Sequence, residues 1–333
     1  MDNHKGVWVC GEITEGKLAP VTVELLGVGR KLANELGEDL SALLLGSEAG
    51  GLAQEAIAYG ADNVYVAEDG LLDQYNSDAY TQVAADLCGQ ASPAIMLFGH
   101  TDIGCDLAPR LNARLGGGLA MDCLALSIDP ATKLLVSTRP VFGGNAHATM
   151  VSKSARPQMA TMRAKTVPPA ERDDSRQGQV ILVEGKVDPA ALEVKVVERI
   201  KEEVEGIKLE DAEVVVTGGG GIGSAENWAM VEDLARALGG AVGATRPACD
   251  EGWAAVTLQV GQSGKVVSPK LYVGVALSGA MAHISGVLGS KVIVAINKDK
   301  EANIFNVAHY GVVADYKEVL PALTAKLKEL ISS

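Results

Sequence analysis

Residues 271–297, LYVGVALSGAMAHISGVLGSKVIVAIN, hold two apolar runs separated by a Ser-Gly-Ala turn and a segment of helical period. They read as a strand over 272–277, a helix over 279–288 and a second strand over 291–297. Strand, helix and strand in so short a span is the signature of an α/β fold.

Working back from that stretch, a strand at 214–217 and a helix at 227–238 precede it, and a helix at 319–331 closes the chain. The same alternation runs through the first hundred residues, with apolar runs at 7–9, 40–45, 64–67 and 94–98 and helical segments at 23–36 and 52–59. Within 21–37, Leu25, Leu26, Val28, Leu32, Ala33 and Leu36 make one buried helical stripe that Gly37 brings to a stop.

From Leu119 to Arg163 the pattern turns β-rich without long helices, in LAMDCLALSID, KLLVSTRPVF, HATMVS and QMATMR, which reads as an antiparallel addition. Residues 167–178, VPPAERDDSRQG, are polar and aperiodic and read as a surface linker, followed by a connecting strand at 180–183. The expected architecture is α/β, two doubly wound parallel-sheet domains, the first (1–190) with the antiparallel segment and the second over 205–333, divided between Val183 and Asp211.

A chain of 333 residues exceeds the size at which one core keeps growing, which agrees with two domains. Lys plus Arg number 29 and Asp plus Glu 42, a formal charge of −13. That field repels phosphate backbones and anionic lipid surfaces, so nucleic acid is not the expected partner. No apolar run approaches membrane-spanning length, and the opening MDNHKGVWVC carries neither a signal-peptide pattern nor an amphipathic leader, so the expected location is cytoplasmic.

The five cysteines, Cys10, Cys88, Cys105, Cys123 and Cys249, lie far apart with no CxxC, which argues against a zinc knuckle, an iron–sulfur cluster or a disulfide framework. His100, His147 and His309 have no ligand partners at helical spacing, and structural or surface roles are expected for them. The acidic segment 201–211, KEEVEGIKLED, reads as a solvated helix face.

Thr217 to Gly223, TGGGGIG, follows a strand, precedes a helix and satisfies GxGxxG. A dinucleotide fold of the nicotinamide type needs an acidic residue about 20 positions on to hold the ribose, and that region reads ALGGAVGATR. The loop is compatible with a plain turn and with a different nucleotide geometry.

The quoted stretch 271–297, with S-G-A-x-x-H opening its helix and A-I-N closing its second strand, resembles the signature of the electron transfer flavoprotein alpha subunit. GATRPACD (243–250), VGQSGK (260–265) and INKDKEANIFNVAHYGVVAD (296–315) agree in order and spacing. In the first domain, 99–123 (GHTDIGCDLAPRLNARLGGGLAMDC) and 139–163 (RPVFGGNAHATMVSKSARPQMATMR) extend the likeness over nearly the whole chain.

The resemblance implies FAD in the C-terminal domain, a beta subunit packed against it with a second FAD or an AMP of its own, and electron transport for an acyl-CoA dehydrogenase-like or other flavin dehydrogenase, or from NADH. Some members of the family bifurcate electron pairs, and the sequence leaves that mode open. It also implies residue roles. Arg246 lies over the isoalloxazine and favours its anionic reduced form, Ser263 bonds flavin N5, and His283 donates at the O2 edge. Gly261 and Gln262 flank the serine, while Ser278, Gly279, Ala280, Met281 and Ala282 form a turn at a helix start that suits a pyrophosphate. Asn297 and Asp315 sit near the AMP half, and Thr245, Val260 and Tyr316 complete the set.

Two positions depart from the family pattern: Gly220 stands where an Arg is usual and Ala282 where a Gln is usual. Each removes a polar side chain from the cradle. The alternative to the flavin-binding role is therefore a structural subunit that keeps the fold with weakened or lost flavin binding.

Overall fold

A computed structural model describes residues 4–144, 146–198 and 207–331. The chain forms two compact units, residues 1–141 with 145–200, and residues 142–144 with 201–333. The first six residues of the acidic segment 201–211 lie outside the described residues, and 207–211 form an irregular turn. Among the described residues no helix is long and apolar enough to cross a membrane.

In the first unit, β1 (Val7–Gly11) leads through the hairpin β2 (Ile13–Thr14) and β3 (Lys17–Leu18) into α1 (Pro20–Leu36). Then come β4 (Leu40–Gly46), α2 (Ala53–Ala58), β5 (Asn63–Glu68), α3 (Ser77–Ala91), β6 (Ile95–Gly99) and α4 (Asp102–Leu115). Pro20 opens α1 where its missing N–H costs nothing, and Gly37 closes it at φ 69°, its amide returning to the Ala33 and Asn34 carbonyls. Along β1, Val7 and Val9 enter one core while Trp8 and Cys10 enter the other, the period-two alternation of a strand buried on both faces.

The remaining strands of this unit are β7 (Gly118–Cys123), β8 (Ala125–Ile128), β9 (Leu135–Val141), β10 (Ala146–Val151), β11 (Gln158–Met162) and β12 (Gln179–Val183). The main sheet runs β12-β5-β4-β1-β6-β11-β7, with every pair parallel. Apart from the β2–β3 hairpin, among the described residues only β8, β9 and β10 pair antiparallel, so the antiparallel addition expected over 119–163 is confined to its middle. The flanking strands join the parallel sheet because β11 aligns with β6 from Gln158–Ile95 to Met162–Gly99, where all five of its residues are buried.

The second unit comprises β13 (Val214–Gly218), α5 (Ala225–Ala237), β14 (Ala241–Ala244), α6 (Arg246–Asp250), β15 (Leu271–Val275), α7 (Met281–Ile284), β16 (Val292–Asn297), β17 (Tyr310–Val313) and α8 (Tyr316–Ile331). Its five strands are all parallel in the order β14-β13-β15-β16-β17. Helices α5 and α8 cover one face, where Trp228, Val231, Leu234 and Leu320 meet Val216, Val273 and Ile296. Irregular segments cover the other, with Val260, Val267 and Val287 against Val215, Tyr272 and Ile293.

Two expectations for 271–297 are corrected. The strand ends at Val275 because Ala276 turns to φ 51°, and the helix is Met281–Ile284 rather than 279–288. After Ile284 the chain tightens into three-residue turns, with amides of Gly286 and Val287 bonded to the carbonyls of His283 and Ile284. Gly286 passes directly over Gly261, where a Cβ would lie 2.6 Å from the Gly261 Cα. The close crossing favours a bend over a continued helix.

Candidate functional site

In an open parallel sheet, ligands collect beyond the carboxyl ends of the strands where the order reverses. In the second unit the chain leaves β13 for β14 on one side and returns to β15 on the other, so the divide lies between β13 and β15. A cleft of about 740 Å³ opens there, within the size range of small-molecule sites.

The glycine loop forms one wall. Side chains on Gly219 or Gly221 would run into the Ala276 carbonyl, whereas a Cβ on Gly220 would meet only Pro247, at 3.3 Å. Gly219 and Gly221 are required by close packing and Gly220 is not. Ser224 caps α5 through the Asn227 amide, and Asn227 Nδ2 and the Tyr316 hydroxyl both donate to the Ile222 carbonyl, at 3.1 and 2.6 Å. The loop is thus pinned from α5 and α8.

The opposite wall is the end of β15. Among the described residues, the backbone amides of residues 277–282 make no hydrogen bond to the protein. Helix α7 has only four residues, so the dipole expected to assist a pyrophosphate here is small, and the free amides are what remains. Asn297 Nδ2 donates to the Leu277 carbonyl at 2.8 Å and steadies that backbone from β16.

Between the walls, Thr245 precedes α6 with its side chain 8% exposed, and its buried Oγ1 has no protein partner. A buried hydroxyl left unpaired costs about 1–3 kcal/mol, so the position suits a ligand atom that pairs with it. Arg246 stands at the rim, exposed, with Nε 3.5 Å from Asp250. Ser263 accepts from Gln259 Nε2 at 3.0 Å, which leaves its own hydroxyl hydrogen free to donate.

His283 is buried, and its ring differs from the expected donor. Nδ1 lies 2.9 Å from the Val260 carbonyl and Nε2 lies 2.7 Å from the Tyr272 hydroxyl. Both nitrogens are therefore committed inside the protein, and donation to the cleft would require breaking one of these bonds. Burial pushes the imidazole below its usual pKa, and the Val260 carbonyl offsets part of that.

The structure brings Thr245, Arg246, Val260, Gly261, Ser263, Ser278, Gly279, Ala280, Ala282, His283, Asn297, Asp315 and Tyr316 together on one cleft; Gln262 and Met281 do not line it. The Gln262 amide instead bonds the Ala282 carbonyl at 2.7 Å, and the Met281 side chain is 61% exposed. Lining residues that the sequence reading missed include Asn227, Gln259, Lys298, Asp299 and Lys317. Lys298 and Lys317 adjoin Asn297 and Tyr316, so adjacency was the available signal.

In the first unit, His100 Nδ1 sits 2.9 Å from Thr161 Oγ1 and 3.3 Å from Cys105 Sγ, and Arg163 pairs with Asp122 at 2.8 Å, tying the ends of β6, β7 and β11. Burial pushes the Cys105 thiol up to about 11, which leaves it protonated and inert.

The model of the electron transfer flavoprotein domain matches residues 7–188, and that of the electron transfer flavoprotein FAD-binding domain matches residues 208–288. The chain is 42% identical over 330 residues to the electron transfer flavoprotein subunit alpha of Thermoanaerobacterium thermosaccharolyticum, covering 99% of this chain and 100% of that one. It is 44% identical over 328 residues to the subunit of the same name from Megasphaera elsdenii, covering 98% of this chain and 97% of the other. A Clostridium saccharobutylicum protein named FixB is 44% identical over 331 residues, with 99% and 98% covered.

Proposed function

The chain belongs to the electron transfer flavoprotein alpha-subunit family, and from that premise we propose that it binds one FAD in the cleft at the β13–β15 divide. On this reading it pairs with an electron transfer flavoprotein beta subunit, its first unit building the subunit interface. The pair relays electrons from an acyl-CoA dehydrogenase-like flavoprotein, another flavin dehydrogenase or NADH to a downstream acceptor.

The observation that carries this reading is the run of unbonded amides at residues 277–282 facing the buried, unpartnered Thr245 hydroxyl across one cleft. Donors fixed by backbone geometry suit the oxygens of a pyrophosphate, and they need no reorganisation to bind it. The residues present therefore fit a flavin dinucleotide. The bound flavin supplies the electron-carrying chemistry, and the chain supplies binding and electrostatics.

Arg246 sets a fixed cation at the rim, which favours negative charge in the cleft. Ser263 offers a hydroxyl hydrogen held in place by Gln259. Asn297 and Tyr316 brace the two walls, and Asp315, whose Oδ1 takes the Lys317 amide at 2.9 Å, would hold the AMP half. Lys298 and Lys317 add two cations to the lining, compensating in charge for the arginine missing at Gly220.

A second reading rests on Gly220, which opens onto the cleft without a side chain, and on Ala282: the subunit keeps the fold and binds flavin weakly or not at all. The absorbance spectrum and flavin count of the heterodimer decide between the two. One flavin per heterodimer, or two if the assembly bifurcates, is the expected result. A heterodimer that is colourless and stays so after FAD addition would establish the structural-subunit reading instead.

A further inference from the structure

The Val260 carbonyl can only accept, so the hydrogen-bond contact at 2.9 Å requires a hydrogen on His283 Nδ1. In a neutral ring Nε2 then carries a lone pair, and the Tyr272 hydroxyl at 2.7 Å must be its donor. Tyr272 is fully buried on β15, so no water competes for that hydroxyl.

A second polar group acting on the Tyr272 hydroxyl is Thr217 on β13. Thr217 Oγ1 is buried and close enough to act on the phenol, yet it is without a hydrogen-bond partner of good geometry. A proton added at Nε2 would force the phenolic hydrogen to turn from Nε2 toward that poorly placed oxygen. Burial and the Val260 carbonyl act on the imidazole beside the Tyr272 hydroxyl, with no charged side chain contributing from its own turn, from β15 or from the 259–263 segment.

We propose that Tyr272 is a positioning residue that locks His283 as the neutral, Nδ1-protonated tautomer, so that the imidazole faces the cleft as a fixed dipole and not as a titrating cation. The inference rests on the proposed flavin site only for what occupies the cleft. The lock itself belongs to Val260, His283 and Tyr272. It follows that the fixed positive charge on this lining comes from Arg246, Lys298 and Lys317 alone.

Nitrogen NMR on isotope-labelled histidine in the intact heterodimer tests the lock, with the His283 signals assigned by their loss in His283→Asn. The expected spectrum shows Nδ1 protonated and Nε2 bare, unchanged between about pH 5 and 8, where a free histidine titrates. Tyr272→Phe conserves the buried ring volume and removes the donor that occupies Nε2; the ring should then take up a proton within that window and add pH dependence to the potential of bound flavin. Thr217→Val should leave the tautomer as it is. An Nε2-protonated ring in the wild type, titration of the wild-type ring within the window, or a Tyr272→Phe spectrum identical to wild type would each overturn the proposal. The tautomer can be read in a colourless heterodimer as well, so failure of the flavin assignment and failure of the lock are separately visible.

Discussion

The Tyr316 hydroxyl donates to the Ile222 carbonyl at 2.6 Å and fastens the start of α8 to the glycine loop. The bond joins positions 94 residues apart, and with Asn227 it gives the Ile222 carbonyl two donors. Tyr316→Phe should cost the second unit about 1 kcal/mol of stability, the usual worth of such a bond, and weaken flavin binding several-fold by loosening the loop. Thermal unfolding and fluorescence titration read the two effects. Undiminished affinity would mean the loop needs no help from α8.

Gly220 leaves room that Gly219 and Gly221 do not. Gly220→Arg adds a charged donor on the cleft wall, worth about 1.5–3 kcal/mol, and should tighten FAD about tenfold to a hundredfold. The same change at Gly221 meets the Ala276 carbonyl and should destabilise the unit. Equilibrium dialysis of both variants is the check.

Thr245 holds a buried, unpartnered hydroxyl beside the cleft. Thr245→Val should raise the melting temperature of the flavin-free subunit, since it removes an unsatisfied polar atom, while lowering FAD affinity about tenfold. A variant that gains stability without losing affinity would show that the hydroxyl does not face the ligand.

Arg246 is exposed, and its pairing with Asp250 at 3.5 Å is too open to tie it down. Arg246→Ala should lower the reduction potential of the bound flavin by tens of millivolts, and Arg246→Lys should restore most of it because charge matters more there than planarity. Spectroelectrochemistry on the heterodimer measures the shift; equal potentials for Ala and Arg would remove the residue from its assigned role.

In the first unit, burial holds the Glu12 carboxyl above its usual value of 4.5, and Asp102 adds repulsion, against the opposing bond from Thr101. Below 4.5 both folded and unfolded states are protonated and pH has no effect through this group. Between that value and the raised one the folded state keeps a proton that the unfolded chain has lost, so stability falls as pH rises, and above both values the loss is complete. Glu12→Gln should flatten that decline in urea melts taken across the window, leaving Thr101 with an amide oxygen to bond.

Much of this arrangement could be read from local pattern. The stripe from Leu25 to Leu36 and the stop at Gly37 fixed the end of α1, whose start at Pro20 lies three residues before the expected 23, and the apolar runs located β1, β4, β5, β6, β13 and β16. Pairing partners were less accessible, because β11 is placed by β6 about sixty positions earlier, and no local signal distinguishes it from an antiparallel strand. In 279–288 the apolar spacing suggested a longer helix, but the crossing of Gly286 over Gly261 decides the backbone there, and that contact is non-local. Motif matching located about half of the cleft lining yet said nothing about where hydrogens go. The engagement of His283 by Tyr272 and Val260 depends on three side-chain and backbone directions that only the folded unit defines.

The 2-1-3-4-5 strand order also bears on how the protein is made. The cleft draws on segments from Gly220 to Lys317, and its two walls are separated in the chain by the excursion through β14. A ribosome must therefore release almost the whole second unit before any part of the pocket closes. Cofactor capture belongs to the last moments of synthesis or later, and truncation just before α8 would remove the brace at Tyr316 and the cation at Lys317 from a pocket otherwise fully translated.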